Sequence, residues 1–148
     1  MADPDTLFGV QLGTIRDRLA TLSYFTGVHD IQAGSEAISG EAPFVPPAAF
    51  VSTAAETYGP NRYAAGGHGQ RATTDVSVLF CVPAQRADSA TADEVEQARK
   101  AILAILAGFT PDGADKPLDA VRYQVRLIAD SLVWGEWIFR TGFNRNSG

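Results

Sequence analysis

Phe8, Leu12, Ile15, Leu19 and Leu22 recur at three- and four-residue steps, which places them on one face of an amphipathic helix predicted from Asp5 to Leu22. Asp3 can cap its start, and Pro4 suits the first turn because its missing N–H would have no partner there. Tyr24 to Ile31 reads as a strand weakened at Gly27, Gln32 to Pro47 as a loop, and Ala48 to Thr53 as a short strand whose approach is set by Pro46-Pro47. The strongest strand signal lies between Arg71 and Val82, where Val76, Val78, Phe80 and Val82 share one face and Leu79 and Cys81 the other. A strand apolar on both faces belongs in the middle of a sheet.

Thr91-Ala-Asp-Glu94 has the spacing of a capping box, so a second helix is predicted from there to about Ala107. Val95, Ala98, Ile102, Ile105 and Leu106 form its buried stripe, and Gly108 supplies the left-handed residue at its end. Beyond the turn Thr110-Pro-Asp-Gly113, Val121, Tyr123, Val125 and Leu127 alternate with Arg122, Gln124 and Arg126, the period of a strand with one wet face. Asp130-Ser131 reads as a tight turn. Leu132 to Thr141 returns as a strand carrying Trp134 and Trp137 on opposite faces, so at least one tryptophan is expected at the surface unless a partner covers it.

The summed order is helix, three strands, helix, two strands. It predicts an α+β fold with a mostly antiparallel or mixed sheet of about five strands and two helices packed on one face. Length and even composition predict one domain over residues 1–148. One segment stands out within it: Glu56 to Gln70, glycine-rich and aromatic, is predicted as a loop too long for an economical hairpin turn. Such a loop is either a bare hairpin tip or an arm with a task.

Chemistry adds little to this picture. His29 and His68 are isolated, Cys81 has no cysteine partner, and the glycines at 66, 67 and 69 lack the Lys-Ser/Thr ending of a phosphate loop. His29 and Asp30, adjacent on a strand, point to opposite faces and cannot converge on one ligand. Asp93-Glu94 and Asp112 with Asp115 fall at a helix start and in a turn, where capping and solvation account for them. No catalytic residue, cofactor or metal is expected. The net charge of −5 gives no positive field to gather phosphates, so nucleic-acid binding is disfavoured. A start without a secretion signal and the lack of a membrane-spanning run predict a protein that is made and stays in a cytosol.

The second half resembles the tail-terminator family of long-tailed phages. The residues that carry the resemblance are the strand from Gln70-Arg71 through Val76 to Val82, the helix after it, the string Gly108-Phe-Thr-Pro-Asp-Gly-Ala-Asp-Lys-Pro-Leu118, and the final strand Leu132 to Thr141. The first half matches in the order of its elements. The resemblance implies a virion protein that caps the finished tail tube as a ring, usually a hexamer, whose partners are its own copies, the tail tube protein and the head-neck connector. DNA would pass through the lumen without specific binding, repelled by like charge. On that footing the loop is a candidate arm anchored by Tyr58, Arg62 and Tyr63, with Arg71, Trp134 and Trp137 as further interface candidates. The alternatives are a neighbouring neck or tail-completion protein, or a small-molecule-binding domain or enzyme with the loop as its lid.

Overall fold

The computed structural model describes residues 9–30, 44–61, 68–84, 88–129 and 131–147. Helix α1 (Leu12–Ala20) is followed by β1 (Gly27–Asp30), β2 (Ala48–Tyr58) and β3 (His68–Pro83), then by α2 (Asp88–Leu106), β4 (Asp119–Ala129) and β5 (Leu132–Ser147). The five strands lie in the order β1-β2-β3-β5-β4, so the last strand sits between its two predecessors in the sheet. β1 runs parallel to β2, and every other pair is antiparallel. The fold is therefore the expected α+β arrangement with a mixed sheet.

Both helices lie on one face of that sheet. Ile15 and Leu19 of α1 and Ala98, Ile102 and Leu106 of α2 pack with Ala49, Val51, Val76, Val78, Phe80, Val82, Trp137 and Phe139 into the main core. The alternation read in β3 holds: its even-numbered residues from Val76 to Val82 enter this core, while Cys81 and Leu79 join a second cluster on the opposite face with Ala48, Phe50 and Trp134. Val95 and Ile105, predicted in the buried stripe of α2, are only partly buried. Gly108 takes the left-handed conformation predicted for it, at φ 86°.

β1 begins at Gly27 rather than Tyr24 and β5 runs on to Ser147 rather than ending at Thr141, and four further differences from the sequence reading have a local reason. Helix α1 begins at Leu12 rather than near Asp5, because Gly9 has φ 88° and Gln11, the N-cap, is extended. Gln11 makes no side-chain cap; instead its N–H donates to the Asp112 carbonyl at 2.7 Å, and the Thr14 hydroxyl accepts the Asp112 N–H at 3.2 Å. The helix start is thus satisfied by a turn from the other half of the chain. Phe8, Asp3 and Pro4 lie outside the described residues, as does most of the loop predicted from Gln32 to Pro47.

Helix α2 begins at Asp88, so Thr91 falls within it and the capping box is not its start. Glu94 accepts the Tyr24 hydroxyl at 2.8 Å. Burial and this carboxylate push the Tyr24 hydroxyl well above its ordinary range.

The loop predicted from Glu56 to Gln70 is shorter than expected. Glu56, Thr57 and Tyr58 pair with Thr74, Thr73 and Ala72, and His68 to Gln70 pair with β5. β-Branched threonines favour this extension, but every residue from Thr53 to Tyr58 is exposed, so no apolar alternation marks it.

The fourth difference is in β4. Its register shifts between Ala120 and Arg122 and again between Val125 and Leu127, so two residues on β4 stand without a counterpart on β5. Helix α2 lies over β3 and β5. Tyr123 reaches back to the core, stacked on Phe80, while Val121 and Val125 are 40% and 53% exposed. The dry face predicted for this strand is reduced, among the side chains described, to Tyr123.

Candidate assembly surfaces

The sheet extends past its helical cover at one end. There β2 from Thr53 onward, β3 up to Asp75 and β5 from Arg140 onward form a three-stranded extension. Tyr58 stands on its outer strand, 40% exposed, with Glu56 two residues before it on the same face. Partial burial and a hydrogen bond to Glu56 raise the Tyr58 hydroxyl above its ordinary range, so it remains protonated near neutral pH. Of the other two anchors predicted for the arm, Arg62 and Tyr63 lie outside the described residues.

Arg71 has a different setting from the one expected of a loose anchor. Its Nη1 donates to Asp115 Oδ2 at 2.5 Å and to Asn144 Oδ1 at 3.4 Å. The guanidinium crosses Gly142 to get there: a Cβ on that glycine would stand 2.6 Å from Arg71 Nη2 and 2.6 Å from the Ala72 carbonyl oxygen. The Asp115 N–H donates to the Gly142 carbonyl at 2.9 Å, and the Thr141 hydroxyl donates to the Lys116 carbonyl at 2.6 Å. Arg71 therefore ties the turn after α2 to the extension. Its guanidinium holds the Asp115 carboxyl below the usual carboxylate range, so the contact is complete above that range and is lost only as pH falls below it.

Gly142→Ala is expected to lower stability by about 2 kcal/mol, since the methyl has a backbone carbonyl on one side and the guanidinium on the other. Arg71→Ala, which removes a solvent-screened pair, should change stability by less than about 1 kcal/mol. Urea unfolding of the two variants measures the difference, and equal losses would show that the ion pair rather than the glycine seat dominates.

The two tryptophans correct an expectation. Trp134 and Trp137 are on opposite faces as predicted, yet they are 4% and 5% exposed, so neither is at the surface. Trp134 is covered by Phe44 and Phe50, with ring centroids 5.7 and 5.8 Å away, on the face opposite α1 and α2. Trp137 packs beneath α2, where its Nε1 donates to the Arg99 carbonyl at 3.1 Å and the Arg99 guanidinium lies 5.7 Å from its ring and 4.6 Å from that of Tyr123. The chain's own packing buries both indoles.

On the face away from the helices, the polar side chains pair across strands. Arg140 makes a two-pronged contact with Asp75 at 2.8 and 3.2 Å, and Glu136 accepts from Ser77 at 2.6 Å and Gln124 at 3.3 Å with Arg126 at 3.7 Å. Arg122 stays exposed. Sequence reasoning missed the edge position of Val121 and Val125, because alternation assigns faces only where the register is unbroken.

Among the described residues no group of three His, Cys, Asp or Glu side chains could hold a metal ion. His29 lies against the Phe50 ring at 5.2 Å. Cys81 is fully buried, and burial pushes its thiol up to about 11, which keeps it protonated and unreactive.

The family model described as "Phage tail terminator protein" matches residues 8–147. No curated protein matches the chain. Among solved structures, a chain of the "Virion of native gene transfer agent (GTA) particle" is similar in fold, with a TM-score of 0.60 at 15% sequence identity, over 92% of this chain and 96% of that one.

Proposed function

The chain belongs to the phage tail terminator family, and from that premise we propose that it closes the head-proximal end of a phage-type tail tube as a hexameric ring. It is a structural protein of the tail. The ring would stop tube growth, with one face on the tail tube protein and the other on the head-neck connector. Its own copies are the remaining partner. The observation that carries this reading is the match of the family model along nearly the whole chain. The extension supports it, because its exposed outer strand from Thr53 to Tyr58 offers a surface that another chain can contact. The net charge of −5 suits a lumen through which DNA moves without being held.

Sedimentation velocity over a concentration series, with negative-stain images of the fastest species, tests the proposal. Closed rings are the expected result, either from the protein alone or on purified tail tubes. A monomer at every concentration, in both settings, would remove it. Tyr58→Ala, at an exposed ring on the extension, should reduce assembly while leaving the monomer's unfolding midpoint within about 0.5 kcal/mol of wild type.

A further inference from the structure

Among the described residues, two strands of the sheet present open edges. β1 covers the outer side of β2 only from Ala48 to Val51, and among the described residues no strand pairs with that side from Ser52 to Tyr58. β4 ends the sheet at the other side, with β5 as its one neighbour. Unpaired N–H and C=O groups along such edges are templates for another chain.

What the two edges carry differs from the rest of the surface. Of the four exposed large hydrophobic side chains among the described residues, three lie here: Tyr58 on β2, and Val121 and Val125 on β4. Their charges are opposite. Glu56 accompanies Tyr58 on β2, while on β4 the exposed Arg122 and Arg126, the latter shared with Glu136, outnumber the exposed Asp119. Between Ser52 and Tyr58 there is no lysine or proline of the kind that blunts an edge. Like edges would bring like charges together, so β2 with β2 and β4 with β4 are disfavoured, and β2 with β4 is favoured. A contact between two different surfaces of identical chains is head-to-tail, the kind that closes into a ring.

Resting on the ring reading above, we infer that the β4 edge of one copy docks along the Ser52–Tyr58 edge of the next, with Tyr58 against Val121 and Val125 and Glu56 against Arg122 and Arg126. The partner is a second copy of this chain. The surface is complete only in the assembly.

The experiment uses two charge reversals, Glu56→Lys and Arg122→Glu, each purified as the full chain and checked by circular dichroism. Glu56→Lys makes both edges basic, and Arg122→Glu leaves its β4 edge without net positive charge against an acidic β2. Each alone is expected to assemble at least about tenfold more weakly than wild type in sedimentation velocity. Mixed in equal amounts they should recover assembly, because in an alternating ring the lysine introduced at position 56 faces the glutamate introduced at position 122, and each native Glu56 faces a native Arg122. Rescue on mixing cannot arise if the two residues act only within one chain. Val125→Lys, at a site already 53% exposed, is a second block and should prevent assembly without shifting the monomer's unfolding midpoint. Wild-type rings with unaffected single variants, or with no rescue in the mixture, would overturn the edge contact and leave the ring standing. The absence of rings from the wild type would overturn both.

Discussion

Gly113→Ala should destabilise the protein by roughly 2 to 5 kcal/mol, adding a left-handed backbone cost of about 1–2 kcal/mol to an overpacking cost of about 1–3 kcal/mol. Gly113 has φ 85°, and a Cβ there would stand 1.8 Å from the Gly9 carbonyl oxygen and 3.4 Å from the Gln11 nitrogen. That position lies between the segment leading into α1 and the turn after α2. Relieving the clash means parting the Gln11 and Thr14 contacts with Asp112, which satisfy the start of α1. Gly108→Ala is the natural control: its φ is 86°, but nothing lies within 4 Å of the added methyl. It should lose only about 1–2 kcal/mol, the backbone cost alone. Urea unfolding of both variants reads the difference, and equal losses would mean that the approach of Gly9 to Gly113 is not held in solution.

Phe80→Ala is expected to lower stability by about 3 to 5 kcal/mol through lost burial and the cavity left behind. Phe80 is fully buried on the central strand, edge-on to Phe25 at 6.5 Å and stacked with Tyr123 at 6.1 Å. Gly135 on β5 makes room for it: a Cβ there would stand 2.7 Å from Phe80 Cζ. The cavity would open between Phe25, Gly135 and Tyr123, so Tyr123 should lose its order along with the ring it stacks on. Near-ultraviolet circular dichroism, together with the unfolding midpoint, checks this. A variant with unchanged aromatic signal and a loss under about 1 kcal/mol would refute the packing described here.

The parts of the fold legible in the sequence are those whose residues answer to one local rule. β3 is apolar on both faces and is central. Gly108 had to be left-handed and is. The string from Gly108 to Leu118, which carried much of the family resemblance, is explained by its geometry: two glycines at positive φ, a Leu118 with no exposure, and an Asp115 that receives Arg71.

What was not legible depends on distant partners. One of Trp134 and Trp137 was expected at the surface because nothing in their strand shows that Phe44 and Phe50 cover Trp134. Helix α1 looked longer because the turn that closes its start comes from Asp112. Tyr58 was singled out as an anchor by residue type and does stand exposed, but Arg71 is committed to Asp115. Val121 and Val125 were assigned to the interior by an alternation that two register shifts interrupt.

The place of β5 has a consequence for biosynthesis. β4 leaves the ribosome before β5, yet its only neighbour in the sheet is β5, and β3 likewise waits for β5 along one side. At roughly 5–20 residues per second, several seconds pass between the emergence of β3 and that of the strand that completes it. Through that interval a nascent chain carries β3 with one side bare and β4 with no mate. The sheet cannot grow outward strand by strand. It closes by insertion once β5 has emerged, and nascent chains stalled short of β5 are the ones most prone to aggregate.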